Sequence, residues 1–338
     1  MQETSYTTCP CGQEDWYLKV SDLEVDKNRQ VGTARNAAVW FKGVPVLYTP
    51  WMDFSLSKAR KSGFLTPVFG STAEGGAEIT LPYYWNIAPN RDATIAPRLM
   101  TKRGLMLNNE FRYLEPLYSG EAHVDFLPDD RLAGRNRYAL SLAHSQNLTR
   151  GFSGALNLQK ASDDAYYRDL SNNLTVTSQT NLQRTGTLGY GGTWWGGAPW
   201  SASALVQRWQ TLQDPKAPVI PPYFRTPQLA LAASKPGVYG ADLNLYGTFA
   251  DFSHPSLPNG RRTVFYPSVS YPLQTAFAYA TPKLGLHYTR YSLDSATTTL
   301  TDASRVAPIF SLDTGMVFER DWGFGKEQFL QTLEPRIY

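Results

Sequence analysis

Few side chains in this sequence stand at spacings that chemistry could use. The four histidines are His123, His144, His254 and His287. None belongs to a His-Glu-x-x-His run or to a histidine pair three to five residues apart, so no metal site is indicated. No Gly-x-Ser-x-Gly elbow and no phosphate-cradling glycine loop occurs, and no cofactor is expected. The adjacent pair His144-Ser145 is the best hydrolytic lead, because a base within reach of a hydroxyl can activate it. Neighbours on a strand leave opposite faces, however, whereas base and nucleophile must share one. The expectation is a protein that is not an enzyme. Asn147-Leu148-Thr149 and Asn173-Leu174-Thr175 match glycosylation sequons, a pattern common by chance. Cys9 and Cys11 are the only cysteines and flank Pro10. A bond between them would close a very tight ring. Two readings stay open: free thiols, or a disulfide to a cysteine outside this chain, which implies an oxidising compartment.

The elements carrying these residues read as strands. Helical periodicity is almost absent and period two recurs. One face of a run from Phe152 reads Phe152, Gly154, Leu156, Leu158; one face of a run from Tyr239 reads Tyr239, Ala241, Leu243, Leu245, Gly247, Phe249. From Trp200 the apolar face is Trp200, Ala202, Ala204, Val206. Such runs approach the roughly 9–11 residues with which a tilted strand crosses a bilayer, and exceed the roughly 5–6 of an average sandwich strand. Turn-rich segments at 127–136, 162–173, 214–227 and 254–262 separate them, an order that suits an up-and-down meander. The first sixty residues differ. Trp16, Leu18 and Val20 fall on one face of a short piece, and Val44, Val46 and Tyr48 on one face of another. The segment with Lys58, Arg60 and Lys61 then reads as a linker.

Composition agrees with an all-β chain. Tyr 20, Phe 16 and Trp 9 give 13% aromatic residues, many adjacent, as in Tyr83-Tyr84-Trp85 and Trp194-Trp195. Neighbours on a strand cannot all enter one core, so an aromatic girdle of a membrane barrel competes with a soluble β-protein rich in cross-strand pairs. The net charge of +3, with basic residues scattered, gives no footprint for nucleic acid. No stretch offers the roughly 20 apolar residues of a membrane helix, which says nothing against a barrel. The N-terminus lacks the basic and apolar regions of a signal peptide, so an export signal would lie upstream.

Seven stretches carry a family resemblance: "YTTC" at 6–9, "ARNAAVWFKGVPVLYTPW" at 34–51, "RKSGFLTP" at 60–67, "LPYYWNIAPNRDATIAPRLMTKRG" at 81–104, "NEFRYL" at 109–114, "MVFERD" at 316–321 and "QTLEPR" at 331–336. In type and order they resemble the LPS-assembly protein family, LptD, of Gram-negative outer membranes. One departure is Phe54-Ser55, where the family usually has Phe-Pro. The resemblance implies that residues 1–60 are the C-terminal part of a periplasmic β-jellyroll with its linker. It makes residues 61–338 the N-terminal half of a large antiparallel transmembrane β-barrel, since the last motif lies inside the family's barrel. It implies lipopolysaccharide as cargo, received from the periplasmic bridge protein LptA and released sideways into the outer membrane. It also implies a plug lipoprotein, LptE, in the barrel lumen. Cys9 takes the family position whose disulfide reaches a cysteine far toward the C-terminus, outside this chain; Cys11 is the less favoured of the two. A general outer-membrane porin or receptor barrel is the alternative, and a soluble binding module with aromatic platforms is a third reading.

The first barrel hairpin, "SGFLTPVFGSTAEGGAEITLPYYWNIAPN" from Ser62, contains Pro67 and Pro82. A turn centred on Glu74-Gly75 places the two prolines directly opposite each other. The ladder then loses donors from both strands at one level. The resemblance puts this hairpin beside the barrel's closing seam, so Pro67 and Pro82 are the expected lateral gate; a plain edge strand with tolerated prolines is the alternative.

Overall fold

The computed structural model describes residues 2–10, 15–28, 30–57, 60–171, 179–194, 197–295, 297–325 and 327–338. Cys11, Lys58, Trp195 and the sequon at Asn173 lie outside them. The chain is all-β and antiparallel, with one short helix among the described residues. It divides into two compact units, Met1–Tyr113 with Asp125–Arg135, and Leu114–Val124 with Asn136–Tyr338.

The first unit opens with a four-stranded sheet in sequence order: β1 (Gln2–Tyr6), β2 (Trp16–Asp26), β3 (Val31–Phe41) and β4 (Val44–Ser55). Val20, Ala34 and Ala37 are buried at its centre, and Leu18, Leu23 and Met52 pack against them. Strands β3 and β4 meet through the two-residue turn Lys42-Gly43, both with positive φ (48° and 81°), a backbone that matches the twist of a hairpin. Val44, Val46 and Tyr48, read from sequence as one face, are 60%, 56% and 62% exposed. Their strand is an edge of this sheet and carries Pro45 and Pro50 where no sheet partner needs a donor.

A second set of strands begins at Gly63. It comprises β5 (Gly63–Phe64), β6 (Val68–Thr72), β7 (Gly76–Thr80), β8 (Tyr83–Ala88), β9 (Arg91–Met100) and β10 (Gly104–Leu114). Strand β6 pairs with β7, β5 with β8, and both β7 and β8 with β9, which pairs on its other edge with β10. The chain then enters β11 (Tyr118–Asp130) and β12 (Arg135–Thr149).

The second unit is a meander. Next to β12 come β13 (Phe152–Ala161), helix α1 (Tyr166–Leu170) in a loop, then β14 (Asn181–Trp194), β15 (Ala198–Thr211), β16 (Phe224–Val238), β17 (Ala241–Ser253) and β18 (Gly260–Ser270). The two-residue β19 (Leu273–Gln274), β20 (Ala278–Leu293) and β21 (Ala303–Met316) follow. Each long strand from β12 to β18 pairs with the next, β18 with β20, and β20 with β21. At the end, β22 (Phe318–Phe324) and β23 (Glu327–Leu333) form their own hairpin, and β24 (Arg336–Ile337) pairs with β21. In this unit the connections at one end are residues 150–151, 195–197, 239–240 and, through β19, 271–277; those at the other end span 162–180, 212–223, 254–259 and 294–302. Tyr239-Gly240, with φ of 51° and 85°, is again the positive-φ pair that a two-residue hairpin demands.

Candidate functional site

The register of the first hairpin differs by one residue from the one expected of a Glu74-Gly75 turn. Val68 faces Thr80 and Thr72 faces Gly76, so the connection is the three-residue loop Ala73-Glu74-Gly75. Gly76 follows with φ of 78°; a Cβ there would lie 2.3 Å from Thr101 Oγ1, so a glycine is required. Thr72 Oγ1 accepts from Gly75 N at 2.8 Å and donates to Glu78 Oε1 at 2.6 Å, which closes the loop tightly.

Pro67 and Pro82 are consequently not opposite each other. Below the upper ladder, Gly63 faces Tyr84 and Phe64 faces Tyr83, a register displaced by one residue. Leu65 N donates to Pro82 O at 2.8 Å, so Leu65 stands opposite Pro82. Thr66 and Pro67 then share the place opposite Leu81, two residues against one, which is a β-bulge. The donor that Pro82 lacks would have gone to Leu65, because a strand residue's N–H and C=O point to the same side. Both prolines therefore sit in one break, between five upper pairs and two lower ones, but by a bulge and a missing donor in place of two facing prolines.

Ion pairs frame this break. Above it, Glu78 and Arg98 are buried and bonded, with Arg98 Nε and NH2 3.0 and 2.6 Å from Glu78 Oε2. The Arg103 guanidinium, 3% exposed, donates to Asp130 Oδ2 at 2.7 Å and to the Glu74 carbonyl at 3.1 Å; Lys102 Nζ reaches the Ala73 carbonyl at 2.8 Å. The loop is thus held to the β9–β10 and β11–β12 turns. Below the break, Asp92 accepts from Arg60 NH1 at 2.7 Å, Arg112 Nε at 2.8 Å and Tyr84 OH at 3.1 Å. Arg60 also donates to the Pro89 carbonyl, and Lys61 pairs with Asp53. The linker's cations therefore bind carboxylates of β9 and β4.

Alternation divides the second unit into two faces. On one face lie Leu140, Leu156, Leu158, Leu188, Val206, Leu229, Leu231, Leu243, Phe265, Val269, Leu284 and Leu286, each between 38% and 59% exposed. The registers bring residues of this face side by side from strand to strand, as in Leu243 with Val269 and Val269 with Leu284. An apolar band this continuous needs an apolar solvent. At its short-turn edge Phe152, Tyr190 and Trp200 lie in a row with their rings tilted against one another, centroids 4.5 and 4.8 Å apart, like an interfacial girdle. The other face is polar and hydrogen-bonded: Gln207, 5% exposed, bonds Thr185 at 3.3 Å and accepts from Arg225 at 2.9 Å. Arg137 is buried there in charge-assisted bonds to Asp163 and Asp169, 2.8 and 2.9 Å.

The remaining sequence candidates separate. His144 lies against Tyr118, centroids 6.2 Å apart, while Ser145 on the opposite face bonds Ser119 at 3.0 Å. They are not brought together. Asn147 Oδ1 accepts from Thr149 N at 2.9 Å and serves the turn into β13. Cys9 forms no disulfide among the described residues, and its half-buried Sγ is 4.0 Å from the Trp16 carbonyl. Hydrogen bonding at the Trp16 main chain, then at the Thr7 side chain, holds its pKa below the ordinary thiol value. Sequence reasoning missed the ion pairs at Arg103 and Asp92, because partners 27 and 20 residues apart emerge only from the register.

The family model described as LPS transport system D matches residues 135–338, and the one described as LptD protein matches residues 33–234. The chain is 48% identical over 341 residues to an LPS-assembly protein LptD of Nitrosomonas eutropha, covering 100% of this chain and 47% of that protein. It is 47% identical to one of Azoarcus and 40% identical to one of Bordetella parapertussis, with 42% and 44% of those proteins covered. The chain spans about half the length of these curated relatives, and its own length is matched throughout. With more than half of its residues inside a family model and an apolar-faced meander to match, the chain belongs to the LPS-assembly protein LptD family.

Proposed function

We propose that this chain is the part of an outer-membrane lipopolysaccharide-export protein in which the lipid leaves the periplasm and enters the outer leaflet. Residues 1–60 act as the end of a periplasmic jellyroll and its linker, and residues 61–338 as the first part of a membrane barrel in a Gram-negative outer membrane. The periplasmic bridge protein LptA delivers lipopolysaccharide, and the plug lipoprotein LptE occupies the lumen against the polar face. Long connections such as 212–223 face the exterior and short turns the periplasm, the asymmetry usual for such barrels. No covalent step is required: the work is moving an amphipathic lipid past a wall whose ladder is locally weak.

The observation that carries this reading is the break at Leu65–Pro67 and Leu81–Pro82, in the first hairpin of a chain whose second unit has a continuous apolar face. Ladder bonds are what hold a barrel wall shut against lipid. A bulge and a proline at one level lower the cost of parting the first two strands. To test it, Pro67→Ala and Pro82→Ala are combined in the full-length protein with its plug lipoprotein. Delivery of lipopolysaccharide to proteoliposomes is then measured. The donor restored at residue 82, together with removal of the proline from the bulge, should slow delivery several-fold while heat-modifiable mobility stays that of a folded barrel. Unchanged delivery would remove the gating role.

A further inference from the structure

The break has a second side. Strands β7 and β8 face β9 in one uninterrupted register, from Glu78 opposite Met100 to Asn86 opposite Asp92, so Leu81 lies opposite Pro97. Leu81 N donates to Pro97 O at 3.0 Å. In an antiparallel pair of this kind the two residues exchange both bonds. The return bond, from residue 97 to the Leu81 carbonyl, cannot form, because Pro97 has no N–H. Strand β9 is central, paired with β7 and β8 on one edge and β10 on the other, where proline is rare. Its nitrogen and carbonyl share one side, so the missing donor is on the seam side and the pairing of β9 with β10 keeps its donors.

Resting on the gate reading of Pro67 and Pro82, we propose that Pro97 is a third positioning residue of the gate, loosening Leu81 from the side away from the first strand. Leu81-Pro82 is then weakly held on both edges at one level. The bulge of Thr66 and Pro67 faces Leu81, Pro82 withholds a donor from Leu65, and Pro97 withholds one from Leu81. The second strand can bend there as well as the first. The opening is accordingly a flexing of two strands about one level, while the loop above stays tied to Arg103 and the strand below to Asp92.

The test uses the full-length protein with its plug lipoprotein. In Pro97→Ala and Pro97→Val the new amide should be protected from hydrogen exchange, and lipopolysaccharide delivery should slow between about twofold and tenfold, the equilibrium effect of one backbone hydrogen bond. The α-hydroxy analogue of valine placed at 97 has the same side chain and no amide hydrogen; it should restore the original rate. A freely exchanging amide at 97 would overturn the proposal, as would an analogue as slow as Pro97→Val. If Pro67→Ala with Pro82→Ala slows delivery while both Pro97 variants do not, Pro97 has no such role and the gate reading stands. If neither set slows delivery, both fall together.

Discussion

At the scale of single residues, a missing hydrogen matters more than a side chain. Pro82 and Pro97 lack the N–H groups that would have bonded the carbonyls of Leu65 and Leu81. That the hairpin breaks near Pro67 and Pro82 was legible in the sequence, because a proline whose nitrogen faces a paired strand removes a ladder donor. The register was not. A two-residue Glu74-Gly75 turn and the observed three-residue loop read alike in sequence. Their difference is settled by Gly76 at positive φ beside Thr101 and by the Thr72 cap. One residue of slip moved the prolines from facing each other to a bulge and a lone gap. Cys9 supports a separate prediction. Its thiol pKa is lowered, so the reactive thiolate persists to lower pH than in an ordinary cysteine and is lost as pH falls through the lowered value. Alkylation rate against pH should show a midpoint below that of a cysteine peptide. Thr7→Val, which removes the second cause, should move the midpoint up. A midpoint equal to the peptide's would contradict the hydrogen-bonded environment described above.

At the scale of elements, strands are weak at one level and fastened on either side of it. The period-two runs found from Phe152 and Trp200 became β13 and β15 because alternation reports directly which face is apolar. The ionic fastenings were silent in sequence, since Arg103 finds Asp130 only after two strands, β10 and β11, have folded back. Asp130 is fully buried and also accepts from Leu132 N at 3.0 Å. Arg103→Ala would take the Arg103 guanidinium from that buried carboxylate and release the Glu74 carbonyl. The expected cost is about 3 kcal/mol, typical of breaking a buried pair from one side. Denaturant unfolding of the full-length protein should report it, with proteolysis appearing at residues 72–76 first. Arg112→Ala should cost about 1 kcal/mol or less, because that guanidinium is half-exposed and Asp92 keeps Arg60 and Tyr84. Equal costs for the two variants would mean that burial does not set the strength of these fastenings.

For the whole molecule, the solvent decides which side of a strand is out. Four turn-rich segments were visible in the sequence, and three of them, near 162–180, 212–223 and 254–259, lie at one end of the second unit's meander. Their common side could not be read from composition; it follows from counting strands that each reverse the chain. The apolar face gives the sharpest test. Leu231 and Ala232 are neighbours in the middle of β16 and face opposite ways, Leu231 paired with Gly247 on the apolar side and Ala232 with Tyr246 on the polar one. If the apolar side meets hydrocarbon, Leu231→Arg must place a cation near the bilayer midplane, at a cost of about 2–4 kcal/mol. Ala232→Arg puts the same cation among hydrogen-bonding groups and water and should change stability by less than about 1 kcal/mol. Denaturant titrations of the full-length protein in lipid vesicles would measure both. The difference should shrink when the substitution moves along the same face to Leu243, nearer a turn, because the penalty falls with distance from the midplane. A larger cost at Ala232 than at Leu231 would reverse the assignment of inside and outside, and with it the side from which a lipid could leave.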